Sequence, residues 1–213
     1  MDALLTLPQL LTFLGAAFLL TLAPGPDNLM VLSLGLARGR RAGLAFGAGC
    51  ALGCLNHTLL ATLGVGALIA ASPLAFDALR WAGGLYLLWL GVGALRAAWR
   101  SAGGFNAPLA RTESPTRLFA KGLFVNAINP KVVMFFLAFL PQFVDAGRGQ
   151  AAWQMAQLGL LFTLQALLVF GAIGWFAGQF GESLKRQPSL GRWLDGLAGA
   201  VFVGLGARLL LVR

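Results

Sequence analysis

Six apolar runs, too long and too free of charge for a soluble core, dictate most of what this chain can become. They cover roughly Leu10–Ala37, Ala42–Ala71, Leu74–Leu95, Phe119–Phe143, Ala151–Gly178 and Trp193–Leu211. A helix of about 18 or more apolar residues spans the hydrocarbon core of a bilayer. Inside lipid every backbone amide and carbonyl needs a partner within the protein, so a spanning segment is a helix or part of a closed barrel. Strand-like alternation is absent from these runs, which argues against a barrel. The chain is 58% hydrophobic and 11% charged, against about 25% charged in soluble domains. The expected fold is an all-α polytopic membrane protein with six transmembrane helices.

Two of the six runs are interrupted. Pro24-Gly25-Pro26-Asp27-Asn28 breaks the first and Asn126-Ala127-Ile128-Asn129-Pro130-Lys131 the fourth. Proline removes a backbone donor and pushes its predecessor out of the helical region, so neither helix runs through. At membrane depth such a break is tolerated only when it is buried in protein or lines a polar cavity. The polar stretch between the third and fourth runs divides the chain into a first three-helix repeat (1–95), a cytoplasmic linker (96–118) and a second three-helix repeat (119–213). Three spans per half is an odd number, which forces the halves into opposite orientations, the layout of an inverted repeat. The spacing agrees: His57 follows Pro24 by 33 residues and Gln165 follows Pro130 by 35.

The net charge of +9 reads as topology rather than nucleic-acid binding, because the basic residues fall in short connections between spans. Eleven of the sixteen lie in the first, third and fifth connections: Arg38, Arg40 and Arg41; Arg96, Arg100, Arg111, Arg117 and Lys121; Lys185, Arg186 and Arg192. The positive-inside rule puts these in the cytoplasm and both termini on the periplasmic side. Met1 to Gln9 carries no basic residue, so no cleaved leader is expected. Cys50 and Cys54, four apart in one span, read as small packing residues. No cofactor or resident metal is expected.

Asp27, Asn28, His57, Asn126, Asn129 and Gln165 all fall near the centres of their spans. Burying such groups is costly unless they find partners or water, so one midplane cavity is the economical explanation. Helix-to-helix glue is the plainer alternative, and for Gln165 taken alone it is the better one. Each break also restarts a helix, Asn129 being a good cap and Pro130 a good first residue. In the first span Gly25 or Asp27 is expected to cap a half-helix that begins at Asn28. The partial positive charge of a half-helix start suits a carboxylate, and an ionised Asp27 suits an ammonium, which together fit a zwitterion. Asp27 and His57 are the candidates for a coupling proton. Lys131 attracts a carboxylate, neutralises Asp27 or snorkels toward the cytoplasmic surface, its strongest competing role. Gly43 and Gly47, and Gly49 and Gly53, are small-xxx-small pairs suited to close helix packing.

Pro24-Gly25-Pro26-Asp27-Asn28, followed by Gly35-Leu36-Ala37-Arg38-Gly39-Arg40-Arg41-Ala42-Gly43, resembles the N-terminal signature of the LysE/RhtB amino-acid exporters. Gly122-Leu123-Phe124-Val125-Asn126-Ala127-Ile128-Asn129-Pro130-Lys131, with Phe136-Leu137-Ala138-Phe139-Leu140-Pro141-Gln142-Phe143, is similar to the second. The resemblance implies a bacterial inner-membrane exporter driven by the proton motive force and working as a homodimer. It lies closer to the homoserine/threonine/leucine branch than to the lysine exporters. The implied functional positions are Asp27, Asn28, Asn126, Asn129 and Lys131. Two readings from other classes compete. A thiol-disulfide electron relay would use Cys50 and Cys54, and divalent metal efflux would use His57 and Asp27, a thin donor set for a transition metal.

Overall fold

The computed structural model describes residues 5–23, 25–99, 113–148, 150–185 and 188–211, and these hold eight α-helices and no strand. They are α1 (Leu7–Leu22), α2 (Pro26–Arg38), α3 (Arg40–Ala71), α4 (Pro73–Trp99), α5 (Pro115–Ala127), α6 (Pro130–Met134), α7 (Ala151–Lys185) and α8 (Pro188–Leu211). Pro24 and most of the 96–118 linker, residues 100–112, lie outside the described residues.

Both breaks are present. The α1–α2 pair bends by 56° and the pair made by α5 and Pro130–Phe143 by 50°. Within the latter, α6 passes into a π turn at Phe135–Phe139 and a 3-10 turn at Leu140–Phe143. Pro141 has no amide to continue the α ladder, and Gln142 Nε2 donates to Ala138 O at 3.3 Å. Three helices are long and apolar enough to cross a membrane alone, over Arg40–Gly64, Asp77–Arg96 and Ala151–Ala177, and five spans result when each bent pair counts as one. Among the described residues the apolar stretch of α8 is Gly199–Leu211, within a helix of 24 residues. Leu60 and Leu63 on α3, Leu85 and Trp89 on α4, and Leu164 and Leu168 on α7 stand exposed. Apolar faces of this extent suit lipid and would aggregate in water.

Glycines set the helix contacts. On α3, Gly43 meets Gly174 and Gly47 meets Phe170, while Thr58 meets Gly159, so α3 and α7 run antiparallel. The other small pair on α3 turns to α5: a Cβ at Gly49 would collide with Phe119 O, and Gly53 faces Asn126. These two helices run parallel. Gly84 with Gly206, and Gly91 with Gly199, bring α4 and α8 together antiparallel. The two small-xxx-small pairs thus serve two different neighbours.

The core is aromatic. Phe135 stacks on Phe162 at 5.0 Å and on Phe139 at 5.2 Å, and Phe13 meets Phe143 edge-on at 5.3 Å. Beyond it, the start of α1 is tied to the segment before α7. Gln9 Nε2 donates to Phe143 O, and the wholly buried Gln154 brackets Asp145, accepting from its amide at 2.9 Å and donating to its carbonyl at 2.9 Å.

Candidate functional site

Breaking a helix frees carbonyls at one end and amides at the next start. At the first break the freed carbonyls of α1 are taken up from within the protein. Asn28 Nδ2 donates to Thr21 O at 2.5 Å, and Lys131 Nζ donates to Leu20 O at 3.2 Å and Ala23 O at 3.0 Å. Lys131 does not snorkel. Its side chain turns inward across the break and is only 5% exposed, because two unpaired carbonyls and a helix's negative end await it there. Nor does it neutralise Asp27 directly, since no ion pair within 4.0 Å joins them.

The restarts differ. At α6, Asn129 is the cap as expected, its Oδ1 accepting from Lys131 N at 3.0 Å, with Pro130 in the first turn. At α2 the cap is Gly25, one of the two residues expected there, but the helix begins at Pro26 rather than Asn28, and no side-chain cap bonds its first turn. Asp27 does not cap because its carboxylate points across to the second break, where Oδ2 accepts from Asn126 Nδ2 at 2.9 Å.

Asn126 is the hub. Its carbonyl accepts from Asn129 N at 3.0 Å and lies 3.1 Å from His57 Nε2. A carbonyl only accepts, so that ring nitrogen carries the hydrogen. His57 also packs on the Phe136 ring at 5.6 Å. Cys54 Sγ lies 3.8 Å from Asn126 Oδ1 and 3.6 Å from Cys50 O.

Asp27, Asn126 and Lys131 line one small cavity with Thr21, Cys54, Leu20, Val132, Phe162 and Phe170. Its volume is about 10 Å³, the minimum for one water, so as it stands it has no room for an amino acid. Four buried polar atoms around it have no partner: Asp27 Oδ1, Asn28 Oδ1, Asn129 Nδ2 and Gln165 Oε1. Buried polar groups are rarely left so, and each such group asks for an explanation. Gln165 stands one step back, its Nε2 donating to Thr21 Oγ1 at 2.6 Å. His57 is also behind the cavity, screened by Asn126.

Sequence reasoning missed Thr21 and the Phe162–Phe170 wall, and it took Cys54 for filler. Thr21 carried a faint signal as a hydroxyl three residues before Pro24. The phenylalanines carried none, because an apolar run does not say which of its rings faces a cavity. Among the described residues, no group of three or more His, Cys, Asp or Glu side chains is placed to hold a metal. Cys50 and Cys54 are free, buried thiols.

The sequence profile of the family described as LysE type translocator matches residues 18–213. A homoserine/homoserine lactone efflux protein of Salmonella typhimurium is 33% identical over 94% of this chain and 95% of its own. A leucine efflux protein of Enterobacter sp. (strain 638) is 32% identical over 93% of each. An uncharacterized membrane protein of Vibrio cholerae is 35% identical over 92% of this chain and 93% of its own. No solved structure matches.

Proposed function

The chain belongs to the LysE type translocator family, and we propose that it exports neutral amino acids of the homoserine, threonine or leucine kind across the bacterial inner membrane by proton antiport. The observation that carries this reading is the Asp27 carboxylate, buried, held by one oxygen to Asn126 and with the other oxygen unpartnered beside the cavity. The free oxygen offers a substrate ammonium its counter-charge. The uncapped start of α2 and the remaining N–H of Lys131, two of whose three donors are already engaged, offer the carboxylate its donors. Asn28, Asn129 and Gln165 bring further unpaired polar atoms. Beyond Asp27, Asn126 and Lys131 the lining is Leu20, Thr21, Cys54, Val132, Phe162 and Phe170. With the one carboxylate and the one ammonium matched by the substrate backbone, a charged side chain would find no counter-charge left in this lining, which favours a neutral one. The relatives named for homoserine and leucine efflux support that class.

Antiport follows if Asp27 Oδ1 takes either the substrate ammonium or a proton, never both. We assign the proton to Asp27 over His57, because Asp27 lines the cavity where the substrate ammonium would compete with it and His57 does not. Release to the two sides requires this small cavity to open alternately. The antiparallel pairing of α3 with α7 and of α4 with α8 supports two inverted three-helix repeats (1–95 and 119–213) rocking about it, and the basic residues of the first, third and fifth connections support periplasmic termini. The divalent-metal and thiol-relay readings gain no such support.

The test is ligand-induced thermal stabilisation of the purified protein, by itself and as Asp27→Asn. Homoserine, threonine or leucine should raise the melting temperature of the former alone, and lysine should not. Equal stabilisation of Asp27→Asn would remove Asp27 from the site.

A further inference from the structure

Each broken helix ends inside the molecule on a basic side chain borrowed from the other half of the chain. Lys131, from the second half, closes α1, and His57, from the first, closes α5. Leu20 O and Ala23 O lie at the negative end of α1, and what they hold is an ammonium. Its surroundings are those of an ion site. Lys131 is almost wholly buried, its bonds go to carbonyls, and among the described residues no carboxylate approaches within 4.0 Å. The Phe202 ring of α8 lies 5.9 Å away on another side, offering its π face. Gly25 leaves the ammonium its room, since a Cβ there would lie 2.9 Å from Nζ. The titratable groups sharing this cavity are Asp27 from α2 and Cys54 from α3, while α1 brings Leu20, the Thr21 hydroxyl and its end carbonyls, none of them titratable.

We propose that the end of α1 is a site for a small monovalent cation, and that Lys131 fills it permanently with a tethered one. The ammonium stitches the first break to the second, α1 to α6, and does the work that a dissociable inorganic cation would do at an open helix end. Two consequences follow. Removing the tether leaves a cavity that binds a free alkylammonium, whose N–H groups reach the same carbonyls. The intact protein has no need of sodium. The sodium consequence rests on the export reading; the binding site does not.

The experiment measures thermal unfolding of purified Lys131→Ala in detergent with n-propylammonium, ethylammonium, sodium or choline chloride at matched ionic strength. Lys131→Ala should melt several degrees below the wild type. The alkylammonium ions should restore part of that difference, choline should restore none, and none of the salts should act selectively on the wild type. Equal effects of propylammonium and choline on Lys131→Ala would overturn the proposal. If Lys131→Ala does not fold, Gly25→Ala, which keeps the lysine and crowds its ammonium, reads the same site. It should melt below the wild type, and an unchanged midpoint would overturn the assignment. Efflux by the wild type should be equal in sodium and sodium-free media; a sodium requirement would contradict the tethered role. Alkylammonium rescue in a protein that exports nothing would leave the cation site standing and reject the export reading.

Discussion

Replacing Gly53 by alanine should disable the site with one methyl group that touches no substrate. The added Cβ would stand 2.7 Å from Asn126 Oδ1, 2.9 Å from its Cβ and 3.1 Å from its Cγ. Ordinary contact begins near 3.4 Å, so Asn126 must retreat by about 0.7 Å. Its backbone is held by Asn129 N and His57, so the side chain gives way and carries Nδ2 off Asp27. A bond of 2.9 Å stretched by that amount is no longer a hydrogen bond. Asp27 then loses the partner that fixes it, a hydrogen bond to a charged group worth about 1.5–3 kcal/mol. Overpacking adds about 1–3 kcal/mol of destabilisation. Efflux should fall at least about tenfold, the lower bound of the lost bond. The melting temperature should fall by about 2–10 °C from the overpacking alone. Gly171→Ala is the control, because nothing lies within 4 Å of its added Cβ; it should match or slightly exceed the wild type in stability. The assays are efflux from cells with protein quantified in the membrane, and thermal unfolding after purification. If Gly53→Ala transports and melts like Gly171→Ala, the reasoning about Asn126 as hub is wrong.

Three further outcomes follow from the same geometry. Gly122→Ala sets a methyl against Phe46 O at the α3–α5 crossing, and thermal unfolding should show a loss of about 1–3 kcal/mol. His57→Gln keeps a donor for the Asn126 carbonyl and should retain proton-coupled efflux in proteoliposomes with an imposed pH gradient; loss of coupling with binding intact would move the proton from Asp27 to His57. The Cys50→Ser, Cys54→Ser double variant should keep at least about a fifth of wild-type efflux, as expected of hydrogen-bonding groups exchanged within about 1 kcal/mol, whereas a thiol relay would be abolished.

Five of the six expected spans and both breaks were legible because hydrocarbon thickness and proline chemistry act locally. Run length gives the helices, and Pro26 and Pro130 mark the restarts within a residue or two. Asp27, Asn126 and Lys131 were legible as a set because polar groups at membrane depth are conspicuous. Their partners were not. Lys131 reads as a snorkelling lysine until α1 is known to end beside it, and Asp27 reads as a cap until Asn126 is known to reach it across 99 residues of chain. The π turn at Phe135–Phe139 left only Pro141 as a trace. The split of the α3 glycines between α7 and α5 depends on which helices flank α3, and that is a property of the assembled fold.

The most direct test of the central claim is amino-acid efflux from cells loaded with dipeptides, comparing the wild type, Asp27→Asn and empty vector at equal membrane abundance. Excess export of neutral amino acids by the wild type, lost in Asp27→Asn, is the expected result. Export by Asp27→Asn at the wild-type rate, or no excess for any of the amino acids loaded, would contradict it.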